Sequence, residues 1–138
     1  VAAPPERVLK AFTDVDDLKR WWFAARGLIE ARRGGVWALG WDLNEHGFKF
    51  AGMGTIKSYD PQKRIRIDPL VYFSPDRGIA GPFRFSVSAR AKEGITRVTV
   101  RQDGFGEGPE WDAYYEGCVK GWKESLAGLK NYLEGVPR

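Results

Sequence analysis

The sequence predicts an α+β fold in which a broad antiparallel sheet curls around one long C-terminal helix, and three observations carry that expectation. Near the C-terminus, Trp111, Tyr115, Cys118, Trp122, Leu126, Leu129 and Leu133 recur at steps of three and four, which sets them in a narrow arc of one helical face. Ahead of them, segments between Leu28 and Gln102 alternate apolar and polar residues and are separated by turn residues, the pattern of half-buried strands joined by hairpins. The order of elements is strand, two short helices, several strands and a long helix, without an internal repeat or a low-complexity linker. Two tryptophans and a tyrosine on the helical arc carry more ring area than one hairpin can cover, so the partner of that helix is expected to be a wide, curved sheet.

Taken in order, Val1 to Ala3 reads as the end of an apolar strand that Pro4 and Pro5 break. The proline pair opens a short helix over about 4–13, with Glu6 favourable at its N-terminus and Val8, Leu9 and Phe12 as its apolar stripe. Thr13 and Asp14 interrupt it, and a second short helix from about Asp16 carries Leu18, Trp21 and Trp22. A strand over Leu28 to Ala31 is followed by a kink at Gly34 and Gly35. The next strand, Val36 to Leu43, shows Trp37, Leu39 and Trp41 on one face, expected to be the concave one.

Asn44 to Gly47 forms a hairpin turn. In the long strand after it, Phe48, Phe50, Gly52, Gly54 and Ile56 share a side, small residues among large ones that read as room left between rings. That strand ends at Tyr59, Asp60 and Pro61. From Lys63 to Phe73 the alternation places Ile65, Ile67, Pro69, Val71 and Phe73 together, with Pro69 disturbing the ladder or marking an edge. Ser74 to Pro82 reads as a loop. Phe83, Phe85, Val87 and Ala89 then form a strand, Lys92 to Gly94 a tight turn, and Val98, Val100 and Gln102 the inward side of the last strand.

Gly104 to Pro109 leads into the long helix. It is expected from Glu110 to Glu134, roughly 37 Å, with Pro109 and Glu110 suited to its first turn and Gly135 and Pro137 as stop signals. Gly117, Gly121 and Gly128 each cost about 1 kcal/mol relative to Ala in a helix interior, so a packing or cavity reason for them is expected.

Length points to one domain over 1–138, and a chain of this size buries roughly two-thirds of its unfolded surface. There is no apolar run of about 18 residues to span a membrane, and the lone Cys118 excludes an internal disulfide, which together fit a cytoplasmic setting. Because the chain opens on Val1 rather than Met, a few residues are expected to precede it. The net charge of +4 is modest, and basic residues such as Arg32, Arg33, Lys63, Arg64 and Arg66 are spread among acids, which argues against nucleic acid as a partner.

The residues that usually carry catalysis are thin. His46 is alone in its turn, and nothing completes a metal site with it. Cys118 falls on the buried arc, where a thiol acts as a small core hydrophobe. Gly104 to Gly108 lacks the Lys-Ser/Thr pair of a phosphate loop and reads as a hinge; Asp14, Asp16 and Asp17 read as helix caps rather than metal ligands. No catalytic residue, metal or cofactor is therefore expected; without a catalytic constellation a binding protein is favoured over an enzyme, and family-specific hydrolase or cyclase chemistry stays open beside it. The aromatic set says more. Trp37, Trp41, Phe48, Phe50, Phe83, Phe85, Tyr115 and Trp122 fall on inward faces, and with Gln102 and Cys118 they form the candidate ligand-binding set. Two outcomes stay open: the rings line a cavity, or they fill the core. Gln102 either orients a ligand or bonds a neighbouring backbone segment.

Several landmarks together resemble a known family. They are Ala3-Pro4-Pro5-Glu6-Arg7-Val8, Trp21-Trp22, Arg33-Gly34-Gly35, Gly54-Thr55-Ile56 with Asp60-Pro61, Thr96-Arg97-Val98, and Gly121-Trp122 with Leu126, Leu129, Tyr132 and Leu133. Spread over nearly the whole chain in this order, they resemble the SRPBCC (START-like) superfamily, and within it the branch named for the activator of the heat-shock-protein-90 ATPase. The resemblance implies a helix-grip fold, in which the sheet wraps the C-terminal helix and two short helices close an apolar cavity that binds small hydrophobic molecules in many relatives. One departure is Ile95, which stands between Gly94 and the Thr96-Arg97-Val98 run where relatives usually have Gly directly before Thr, and this bears on the register of the last hairpin. The expected partner is a small hydrophobic or aromatic molecule, bound by a monomer or homodimer. The alternative is a protein-interaction or co-chaperone module, although chaperone activators of that branch normally add an N-terminal domain for the partner.

Overall fold

The computed structural model describes residues 1–135. Two short helices, α1 (Pro5–Lys10) and α2 (Val15–Trp21), precede six strands: β1 (Arg26–Ile29), β2 (Val36–Asn44), β3 (Gly47–Asp60), β4 (Arg64–Ser74), β5 (Gly78–Lys92) and β6 (Ile95–Asp103). The long helix α3 (Pro109–Leu133) ends the described chain. The strands form one antiparallel sheet in the order β1-β2-β3-β4-β5-β6, each pairing with its sequence neighbour. This is the α+β architecture that the periodicities predict, and it is the helix-grip fold that the family resemblance implies.

Local chemistry explains most boundaries. Proline at the start of α1 gives up an N–H that needs no partner there, and the side chain of Asp14 caps α2 by accepting from the Asp17 N–H at 3.1 Å. The β5–β6 turn has positive φ at both central residues, 50° at Glu93 and 83° at Gly94, which is the tight form whose twist suits a hairpin. Lys92 therefore pairs with Ile95, and the added residue leaves Thr96 buried. Gly135, at φ 72°, ends the last helix; Pro137 lies outside the described residues.

Several expectations are corrected. Val1 to Ala3 is not a strand, because the prolines behind it leave no length to build one. It still exchanges two 2.8 Å backbone hydrogen bonds with Thr96, whose hydroxyl also donates to the Ala3 carbonyl. The first strand lies earlier than expected, at Arg26–Ile29. The stretch from Ser74 to Pro82 is not a loop: β4 runs to Ser74 and β5 starts at Gly78. Its proline fits because Leu70 pairs with Phe83 and Tyr72 with Ala80, so Gly81 and Pro82 together oppose one residue in a bulge that does not need the missing N–H.

Pro69 sits in a second irregularity, between the Ile67–Phe85 and Leu70–Phe83 pairs. The shift reverses the alternation, so Leu70 and Tyr72 face the core side and Val71 and Phe73 turn outward. Gly54 does not leave room either. A Cβ there would lie 2.5 Å from both Ile67 Cγ2 and the Pro69 carbonyl oxygen, so this glycine marks a close backbone approach.

The core lies between the inner face of the sheet and the three helices. Val8, Leu9, Phe12, Leu18, Trp21, Ile56, Ile65, Ile67, Val87 and Leu129 are buried there. Arg7 grips Asp17 with two hydrogen bonds of 2.8 and 2.9 Å, and the Tyr132 hydroxyl donates to the same carboxylate at 2.6 Å, so one ion pair joins α1, α2 and the C-terminal part of α3. Leu129 is the one fully buried residue of α3, and the N-terminal half of that helix stands off the sheet. No helix among the described residues is long and apolar enough to cross a membrane.

Candidate functional site

Where α3 stands off, aromatic rings bridge the gap. Tyr114 stacks on Phe83 of β5 with centroids 5.9 Å apart, and one turn pair further Trp122 stacks on Phe85 at 5.3 Å. Trp22, just after α2, closes the side by packing on Trp122 at 5.1 Å and Trp41 at 5.2 Å. Between these contacts lies a cavity of about 580 Å³, a size that suits a small organic molecule. Gly117 and Gly121 border it from α3, and a Cβ at either would meet nothing within 4 Å. Gly128 differs, since its Cβ would touch the Trp21 carbonyl oxygen at 3.6 Å. The flank expected to make room thus divides into two open glycines and one in ordinary packing.

Of the candidate residues, Trp37, Trp41, Phe50, Phe83, Gln102, Cys118 and Trp122 line this cavity. Phe85 lies behind Trp122 and is buried against it. Two candidates fall elsewhere. Phe48 is 39% exposed, and its ring covers Gly40 on the outer face of the sheet. Its partner strand is irregular at the same level: Asp42, between the Trp41–Phe50 and Leu43–Phe48 pairs, has a positive φ of 53° and itself borders the cavity. Tyr115 is 51% exposed and meets only the edge of the Phe105 ring among the aromatics, while Tyr114 holds the inward position. Trp111, Tyr114 and Cys118 also follow steps of three and four, so the signal for Tyr114 was present in the sequence. Trp22, Leu70, Tyr72 and Arg77 are among the other lining residues; no periodicity marks Arg77, which comes from the β4–β5 turn.

The indole N–H groups are already used. Trp22 donates to Ser125 Oγ at 3.1 Å, Trp37 to the Phe12 carbonyl at 2.9 Å, Trp41 to the Trp22 carbonyl at 2.9 Å, and Trp122 to Gln102 Oε1 at 3.3 Å. The cavity wall therefore offers ring faces, and Gln102 serves to hold Trp122. Burial raises the pKa of Tyr72, Tyr114 and Cys118, so these groups are neutral at physiological pH. Burial outweighs the opposing influence of Tyr114 and Arg77 on the Cys118 thiol, which therefore lacks the thiolate character of an activated nucleophile. At the mouth, the Arg77 guanidinium lies 5.1 Å over the Tyr114 ring and donates to the Glu110 carbonyl at 3.1 Å.

His46 stands in an exposed turn beside Glu45. Among the described residues, no group of three or more His, Cys, Asp or Glu is placed to hold a metal ion. Two other depressions have comparable volumes, about 570 Å³ beside Val1 and β6 and about 580 Å³ outside Arg77, but neither gathers rings in this way.

A family model described as "Activator of Hsp90 ATPase homolog 1-like protein" matches residues 2–134. Among solved structures, the solution structure of the Aha1 dimer from Colwellia psychrerythraea is 21% identical with a TM-score of 0.72, over 100% of this chain and 93% of that one. A protein from Chromobacterium violaceum is 24% identical with a TM-score of 0.70, over 100% and 94%. One from Mesorhizobium loti is 15% identical with a TM-score of 0.75, also over 100% and 94%. At these identities the likeness is one of fold. No curated protein matches the sequence.

Proposed function

The chain belongs to the Activator of Hsp90 ATPase homolog 1-like family, of the SRPBCC superfamily, and from that premise we propose that it is a binding protein for a small hydrophobic or aromatic molecule held between the sheet and α3. The observation that carries the reading is the ring-walled cavity with its two open glycines, Gly117 and Gly121. A ligand there would exchange water for ring faces, with apolar burial as the driving force and Arg77 and the hydroxyls of Tyr72 and Tyr114 as the polar groups that orient it. Trp37, Trp41, Phe50, Phe83, Cys118 and Trp122 are the proposed contacts.

The test is a thermal-shift screen of fatty acids and aromatic metabolites against the protein and its Gly121→Leu variant. A ligand at 100 times its Kd stabilises the native state by about 2.7 kcal/mol, which raises Tm by several degrees. The variant should fold and lose that shift, because leucine would occupy the ligand's space. Retained binding in a well-folded Gly121→Leu protein would overturn the reading.

The family's description supports a second reading, a co-chaperone that stimulates an Hsp90 ATPase, and a stimulation assay with purified chaperone decides it. Because the Colwellia relative is a dimer, sedimentation should be run alongside to choose between monomer and homodimer.

A further inference from the structure

The outer face of the sheet, turned away from α3, gathers charge that the sequence scatters. In register, Arg66 of β4 stands opposite Ser86 of β5, and Ser86 opposite Arg101 of β6. One step along, Arg64 faces Ser88 and Ser88 faces Thr99; a further step sets Arg90 against Arg97. Opposed residues lie about 5 Å apart and alternate residues of a strand about 7 Å apart, so these arginines form a grid of roughly 10 by 14 Å with hydroxyls between them.

Among the described residues none of the five is in an ion pair. The acids of this region are engaged or set at its border: Asp103 pairs with Arg84 and Asp68 with Lys57, while Asp60, the β3 partner opposite Arg64, accepts from the Gln62 N–H. Like charges directly opposite one another, as at Arg90 and Arg97, work against the sheet. Protection of the edge strand β6 from stray pairing would account for Arg97 and Arg101. It does not account for Arg64 and Arg66, which stand two strands inward.

The same face turns apolar toward the β2–β3 and β4–β5 turns. Met53 lies opposite Val71, and Phe73 opposite Ile79, which at the rim of the sheet also borders the depression beside Glu110 and Trp111; Met53 is 54%, Phe73 42% and Ile79 76% exposed. An arginine grid by itself fits any polyanion. A nucleic-acid backbone, however, offers nothing to the apolar half, and among the described residues no aromatic ring stands between the arginines to stack on a base. A bilayer surface presents anionic headgroups and hydrocarbon together.

We propose that the outer face of the sheet is a peripheral docking surface for an anionic lipid bilayer, with Arg64, Arg66, Arg90, Arg97 and Arg101 on the headgroups and Met53, Phe73 and Ile79 at the acyl boundary. This inference is independent of what the cavity binds.

The test is co-sedimentation of the full chain with vesicles of phosphatidylcholine alone and with 30% phosphatidylserine, a composition we set at roughly that of an anionic leaflet. Binding should require phosphatidylserine and weaken with salt. Each arginine near such a surface adds about 1 kcal/mol, or about fivefold, so Arg64→Ser with Arg101→Ser should reduce the affinity about 25-fold at unchanged Tm. Should that variant fold poorly, Arg90→Ser with Arg97→Ser serves instead, with the same loss expected. Ile79→Ser with Met53→Ser should remove the binding that survives at high salt. Equal binding to both vesicle types, arginine variants that bind like the parent, or tighter binding to a DNA duplex or to polyglutamate than to the anionic vesicles would each overturn the proposal.

Discussion

At Gly121 a methyl group meets open space, whereas at Gly54 it would press on Ile67 and on a backbone oxygen 2.5 Å away. The two glycines therefore predict opposite signs. Gly121→Ala should stabilise by up to about 1 kcal/mol, because helix propensity improves and nothing clashes. Gly54→Ala should destabilise by about 2 kcal/mol or more, since neither the carbonyl nor the branched side chain can give way cheaply. Denaturant unfolding of both variants measures this. Trp122 is half-buried: it stacks on Phe85 and packs at a tilt on Trp22 but also faces the void. A buried aromatic truncated to Ala typically loses about 3 to 5 kcal/mol, so Trp122→Ala is expected near the lower end, about 3 kcal/mol, in the same measurement.

Between elements, the Arg7–Asp17–Tyr132 cluster clamps the two short helices to α3. Burial is the largest influence on the Asp17 carboxylate and acts to raise its pKa, but the hydrogen bonds from Arg7 and Tyr132 together outweigh it, and the group titrates below its ordinary range. A folded-state pKa below the unfolded one means stability that is present above about pH 4 and is lost as pH falls through the folded pKa. Asp17→Asn should therefore cost about 1 to 2 kcal/mol at neutral pH, the smaller figure reflecting the partly exposed Arg7, and the difference from the parent should close as acid protonates Asp17. Unfolding curves between pH 7 and 2 follow it. A constant difference across that range would mean that Asn disturbs packing rather than removing a charge.

For the whole molecule, the division of α3 predicts a gradient. Its C-terminal half is pinned by Leu126, Leu129, Tyr132 and Leu133, whereas its N-terminal half rests on a few rings across the cavity. Amide exchange should be faster from Glu110 to Gly121 than from Trp122 to Leu133, and a bound ligand should slow the first segment more than the second. Uniform protection along the helix would argue that the cavity is closed in solution.

Periodicity determined the long helix, the alternating strands and the concave placement of Trp37 and Trp41, and the turn residues between strands their antiparallel order, because each follows from steps of two or 3.6 within one segment or from a short hairpin link. It could not foresee where a period slips. Pro69 and Pro82 sit in irregularities that reverse which side chains face inward, which brings Leu70 and Tyr72 to the cavity and sends Phe73 and Ile79 out; Phe48 faces out at the level of Asp42, which adopts a left-handed φ. The Tyr114 and Tyr115 exchange is of the same kind, because neighbouring helical positions lie 100° apart and only the docked orientation of α3 chooses between them. That Gly117 and Gly121 face a void while Gly128 faces the Trp21 carbonyl, and that arginines from three strands meet on one face, are facts of distance between segments remote in sequence. They are decided when the strands pair in register and α3 settles at a fixed distance from the sheet.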